Sequence, residues 1–190
     1  MNANHQETIQ QVGKALAEAS TELGTWFARP EASRVYHPQD GGWSINEILE
    51  HVSLTSHYLL LIIRQGYKKA LGRAARGETI PDGESDLHKL EPIGHPDAFP
   101  WLRPEHMEPT RKTSLAEVQA RIHAQYQDCQ KMLAGLSGGA GALYLVRMSV
   151  QDLGKMDMYQ WLYFLALHQK RHIAQMERVY QEWAQTQPKP

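Results

Sequence analysis

His168 and His172 stand four residues apart towards the C-terminal end of the chain. On a helix that spacing stacks two imidazoles on one face, with Cβ atoms roughly 5–6 Å apart, so both can converge on one ion. The face they occupy matters as much as the spacing. At 100° per residue, with Trp161 as zero, Leu165 falls at about 40°, His168 at about −20°, His172 at about 20° and Val179 at about 0°. Both histidines therefore lie at the centre of an apolar stripe. Two buried imidazoles without partners are unfavourable, and two protonated ones repel each other. A divalent metal removes both problems, because it takes neutral imidazole as its ligand. The competing reading is a pair of core histidines bonded to other side chains or water. For a stacked pair at mid-stripe, the metal reading leads.

An ion needs at least one more protein ligand. His51 is the best candidate, on the shoulder of a second apolar face, three residues after Ile48 and four before Thr55. Of the other histidines, His88, His95 and His106 fall in a long loop, His5 in the N-terminal tail, and His37 ahead of the second helix. His57 and His123 point away from the stripes of their helices. The residues between the stacked pair are Gln169, Lys170 and Arg171, so the glutamate base of a metalloprotease H-E-x-x-H is absent. Glu47, one turn before His51, is a candidate partner or base, although a role in helix capping accounts for it equally well. Gln175, three residues after His172, is a candidate for orienting a ligand or touching substrate, with structural hydrogen bonding as the plainer role. No residue is assigned a catalytic role from the sequence.

Four segments carry apolar residues at helical spacing, and none shows a convincing strand alternation. They cover about residues 7–27, 44–75, 114–136 and 157–184 and predict an all-α four-helix bundle in one domain over 1–190. Ser44-x-x-Glu47, Ser114-x-x-Glu117 and Asp157-x-x-Gln160 are capping boxes that fix three of the starts. Arg29-Pro30 ends the first segment, because a residue before proline is pushed out of the helical region. Cys129 falls in the apolar stripe of the third segment and should behave as a small buried hydrophobe, dispensable for metal binding. Residues 76–113 hold six prolines and no lasting period. A stretch of that length usually binds, covers or wraps something. The site lies near the start of the second helix and the loop leaves from its far end. To cover the metal the loop must therefore run back along the bundle, with Phe99, Trp101 or Leu102 pinning it or walling a pocket; a surface crossover that packs outside the bundle and does no chemistry is the equal alternative.

Twenty basic against 21 acidic residues, with no basic patch, argue against binding to nucleic acid or anionic membranes. The longest aliphatic run, Leu59 to Ile63, is too short for a membrane span, and MNANHQETIQ lacks the features of a secretory signal. With one cysteine there is no internal disulfide framework. A cytoplasmic protein is expected.

GGWSINEILEHVSLT and MDMYQWLYFLALHQKRHIAQMERV together resemble the DinB-like superfamily, which includes bacillithiol-transferase and YfiT-like proteins. The resemblance rests on the Trp-Ser start of the second helix, the histidine seven residues after that serine, and H-x-x-x-H-x-x-Q on the last helix. It spans about residues 7–185. The resemblance implies an up-down-down-up bundle with a long crossover between its second and third helices. It also implies a metal site on His51, His168 and His172, carrying zinc or, second, nickel. By the same resemblance the metal activates a low-molecular-weight thiol for S-transfer to a small-molecule substrate, and the protein is a homodimer. A metal-dependent hydrolase and a non-enzymatic metal-binding stress-response protein are the alternatives.

Overall fold

A computed structural model describes residues 3–83, 85–98, 104–148 and 153–188. The chain is mostly helical. Helix α1 covers Ala3–Phe27, a single turn α2 covers Glu31–Arg34, and α3, α4 and α5 cover Ile45–Ala75, Leu115–Gly135 and Met158–Thr186. The three capping boxes form as expected, each with the side chain of Ser44, Ser114 or Asp157 accepting from a backbone N–H and the Glu or Gln three residues on accepting in return. These starts fix where each apolar stripe begins, and so which residues of α3 and α5 face inward.

Residue pairs give the helix directions. His5 lies beside Tyr159, Lys170 Nζ is 3.0 Å from Glu18 Oε2, and Arg29 sits over the Tyr180 ring, so α1 and α5 run the same way. His51 meets His172 while Gly66, two-thirds along α3, backs onto Met158 at the start of α5. Those two helices are therefore antiparallel. Helix α4 follows α3, with Arg64 Nε donating to Asp128 at 2.6 Å and Tyr67 against Gly135.

The apolar interior falls into two clusters. One contains Leu59, Leu60 and Ile63 of α3 with Trp161, Phe164 and Leu167 of α5. The other contains Ile45, Ile48 and Val52 of α3 with Met176 and Val179 of α5. Between them runs a belt of buried polar side chains, His51, Ser53, Thr55, Ser56, Gln125, His168, Gln169 and His172. A polar layer this deep costs stability unless something satisfies it.

Four expectations change. His5 is not in a tail: α1 begins at Ala3, and His5 is 2% exposed with Nε2 2.8 Å from the carbonyl of Pro81. A hairpin, β1 (Val146–Met148) with β2 (Gly154–Met156), stands where no strand was expected, Val146 opposite Met156. Three-residue strands are too short to show alternation; burial of Met148 and Met156 and the Trp161 Nε1–H bond to the Val146 carbonyl hold the hairpin in place. Residues 76–113 are not structureless, since 3-10 turns form at His88–Gly94 and Glu105–Met107 and bury Leu90 and Ile93. The short α2 was also not expected. Phe99, Trp101 and Leu102 lie outside the described residues. No described helix is long and apolar enough to cross a membrane.

Candidate metal centre

Helix α3 carries His51 in its second turn and α5 carries His168 and His172 near its middle, and the antiparallel pairing sets the three side by side. All are nearly buried, at 3%, 6% and 7% exposure. One nitrogen from each ring lies within 4.8 Å of the others, close enough to hold a metal ion between them. The Nε2 atoms of His168 and His172 are 3.1 Å apart. Two nitrogens each about 2.05 Å from one zinc ion would be separated by ~3.3 Å at a tetrahedral angle and ~2.9 Å at a right angle. The observed separation falls between these limits.

The outer nitrogens determine which lone pair faces inward. His51 Nδ1 is 2.7 Å from the Met107 carbonyl, which can only accept, so Nδ1 carries the proton and Nε2 is the donor to an ion. His172 Nδ1 is 2.9 Å from Gln175 Oε1 and carries its proton in the same way. With that tautomer, His172 Nε2 presents a lone pair to His168 Nε2. A cation held between the two rings would take a lone pair from each. Burial first, then the neighbouring His172, His51 and Arg171, hold His168 well below the usual imidazole range, which favours the neutral form, the one able to take a metal ion. Thr55 Oγ1, one turn along α3, stands 3.5 Å from His51 Nε2, and the Trp43 ring packs against the His51 ring at 4.8 Å.

The histidines border a cavity of about 490 Å³ between α3, α5 and the loop. Such a volume suits a small molecule. The loop does run back to this end of the molecule. Pro96, Pro104 and Met107 line the cavity, Arg171 donates to the His95 carbonyl, and Arg178 Nη1 donates to Asp97 at 3.0 Å. Beyond Met107 the chain is tied to α3 by Glu50, which accepts from the Thr110 and Thr113 hydroxyls at 2.6 and 3.0 Å and from the Arg111 N–H at 2.9 Å. Arg111 adopts a left-handed φ of 61° there, costly for a side chain bearing Cβ and offset by its bonds to both Glu47 and Glu50.

The two remaining candidates part company. Gln175 lines the cavity and orients His172. Glu47 borders a different, smaller cavity with His37, Glu50 and Arg111. Its carboxylate closes the α3 capping box and accepts from Arg111 Nε. Burial pushes Glu47 upward, but hydrogen bonds from Ser44 and Arg111 and the nearby His37 outweigh it and hold the group below the usual glutamate value. That arrangement makes Glu47 a structural anion. Cys129 is fully buried, away from the histidine cavity, and burial pushes its thiol up to about 12. Sequence reasoning did not find Met107, whose backbone carbonyl leaves no side-chain signature. Nor did it assign Arg171 and Arg178, whose spacing on α5 brings them to the cavity rim.

The DinB superfamily pattern matches residues 7–176, and the chain belongs to that superfamily. No curated protein and no solved structure matches the chain.

Proposed function

We propose that this protein is a metal-dependent S-transferase that joins a low-molecular-weight thiol to an electrophilic small molecule. It would act as one DinB-like domain over residues 1–190, with its long helices as an up-down-down-up four-helix bundle. His51, His168 and His172 are the proposed ligands of one divalent ion, zinc first and nickel second. Three imidazoles leave a coordination position open, which separates a catalytic site from the four-ligand structural kind. When bound, the ion stabilises a thiolate at neutral pH. The residues do the rest. Met107 and Gln175 fix the tautomers of His51 and His172, and the loop, Trp43 and Phe164 wall the reactants from water. In the transfer, sulfur forms a bond to the electrophilic carbon as that carbon's bond to its leaving group breaks. The leaving group departs with the electron pair, and the thiol proton passes to solvent.

The pair of Nε2 atoms 3.1 Å apart at the edge of a small-molecule cavity carries the reading. Among the described residues lining the cavity, the carboxylates are Asp40 and Glu182. Glu182 already accepts from the Tyr36 hydroxyl and the Gln39 N–H, both at 2.8 Å. Neither belongs to the belt that holds the histidines, which favours a reaction in which the thiol arrives as its own nucleophile over hydrolysis assisted by a carboxylate base. A cytoplasmic homodimer with no nucleic-acid or membrane partner completes the proposal. Zinc-loaded protein should consume a thiol and an electrophile in equal amounts when assayed against panels of each. Turnover of the electrophile with no thiol consumed would make the protein a hydrolase instead.

A further inference from the structure

The cavity is chemically divided, and the division follows the helix axes. Leu59 lies eight residues after His51 on α3, and Phe164 eight before His172 on the antiparallel α5. Along the helix axes Leu59 is therefore displaced about 12 Å from His51, and Phe164 about 6 Å from His168 and about 12 Å from His172, in one direction. Met148 of the hairpin joins them at that end, beside the start of α5. All three are buried, at 9%, 2% and 6% exposure, and between them they offer no more than the weak acceptor of the Met148 thioether. In the opposite direction Arg178 and Glu182 follow His172, and Asp40 faces them from the segment before α3. That end carries both signs of charge.

Resting on the transferase reading, we infer that the cavity sorts its two reactants by polarity. The electrophile carries an alkyl or aryl group that occupies the chamber of Leu59, Phe164 and Met148. The thiol carries ionic groups, which remain at the charged end. The hydrocarbon portion of a substrate gains about 25 cal/mol per Å² on leaving water, and the chamber offers this with no charged side chain among Leu59, Phe164 and Met148, whereas at the other end Trp43 and Val179 sit among Arg178, Glu182 and Asp40. An ionic thiol faces the converse, since burying its charges against Leu59 and Phe164 without partners is costly. Sulfur and electrophilic carbon then meet at the histidines between the two halves.

Straight-chain alkanethiols from ethanethiol to hexanethiol test the chamber on cobalt(II)-loaded protein, with binding read from the thiolate-to-cobalt absorption band. Affinity should rise about three- to fourfold per added methylene until the chamber is filled. Leu59→Gln should flatten that rise while cobalt remains bound. Leu59→Trp, which fills the chamber, should reverse it. Cobalt bound with a flat wild-type series overturns the inference alone, and so does a slope that both variants leave intact. Failure of cobalt to bind overturns the metal reading and this inference with it. A slope that responds to Leu59, with no thiol consumed in any transfer assay, overturns the transferase and leaves the alkyl- or aryl-binding chamber standing.

Discussion

Gln175 grips His172 by the nitrogen turned away from the cavity, and that bond decides which lone pair a metal meets. Gln175→Leu removes the acceptor while keeping much of the volume. Metal affinity should fall about 10- to 100-fold, as when other partners of ligating histidines are lost. Gln175→Glu still accepts from Nδ1 and should keep most of it. Isothermal titration of zinc into both variants reads the difference, and equal affinities would show that Gln175 does not orient the ring. Cys129 should be a bystander. Cys129→Ala should leave metal affinity unchanged and cost about 1 kcal/mol in packing. Native protein at pH 8 should resist thiol alkylation, because burial raises the thiol from 9.0 to about 12. The folded state holds that proton while the unfolded chain releases it, so stability should fall as pH climbs from 9.0 towards about 12. At this scale the histidines were legible because type, spacing and stripe position all pointed one way. Glu47 was ambiguous because one carboxylate on the first turn suits both a cap and a base, and only its partners tell them apart.

The elements that position the site differ in how well they can be read. Helices α3, α4 and α5 announce themselves by period and by capping residues whose hydroxyl or carboxylate satisfies an orphan donor. Ser44→Ala should therefore cost about 1 kcal/mol, seen as a lower thermal midpoint. The loop's length and the place of His51 on α3 allowed a return to the histidine end but equally allowed a plain surface crossover, and the contacts of the folded chain decide between them. Its anchors were not legible, since Glu50 gripping Thr110 and Thr113 is a tertiary arrangement with no local pattern. The hairpin was invisible for a similar reason, as two three-residue strands are held by Trp161 and by burial more than by any alternation of their own. His5 was misplaced because polar residues at the start of the chain dilute the period of α1. Deleting residues 95–105 removes the contacts of His95 and Asp97 with Arg171 and Arg178. Zinc should remain bound while small-molecule affinity changes, and loss of zinc would mean that the loop is part of the metal site.

Across the whole molecule the buried polar belt splits the core in two, and the histidines are its most concentrated part. An ion that binds the folded chain and not the unfolded one adds about 2.7 kcal/mol of stability at 100 times its dissociation constant. For a chain of this size that is roughly 5–10 °C in thermal midpoint. The same molecule is tightly built far from the site. A Cβ on Gly141 would come within 2.6 Å of the fully buried Tyr159 ring, whose hydroxyl already bonds the Leu136 carbonyl. Gly141→Ala should cost about 1–3 kcal/mol while leaving zinc stoichiometry intact.

Metal content, measured on purified protein and on its three single histidine-to-alanine variants after zinc loading and dialysis, bears most directly on the account. Wild-type protein should retain one zinc ion per chain, and His51→Ala, His168→Ala and His172→Ala should each retain far less while staying helical by circular dichroism. Zinc held undiminished by all three variants, or none held by the wild type, would contradict it.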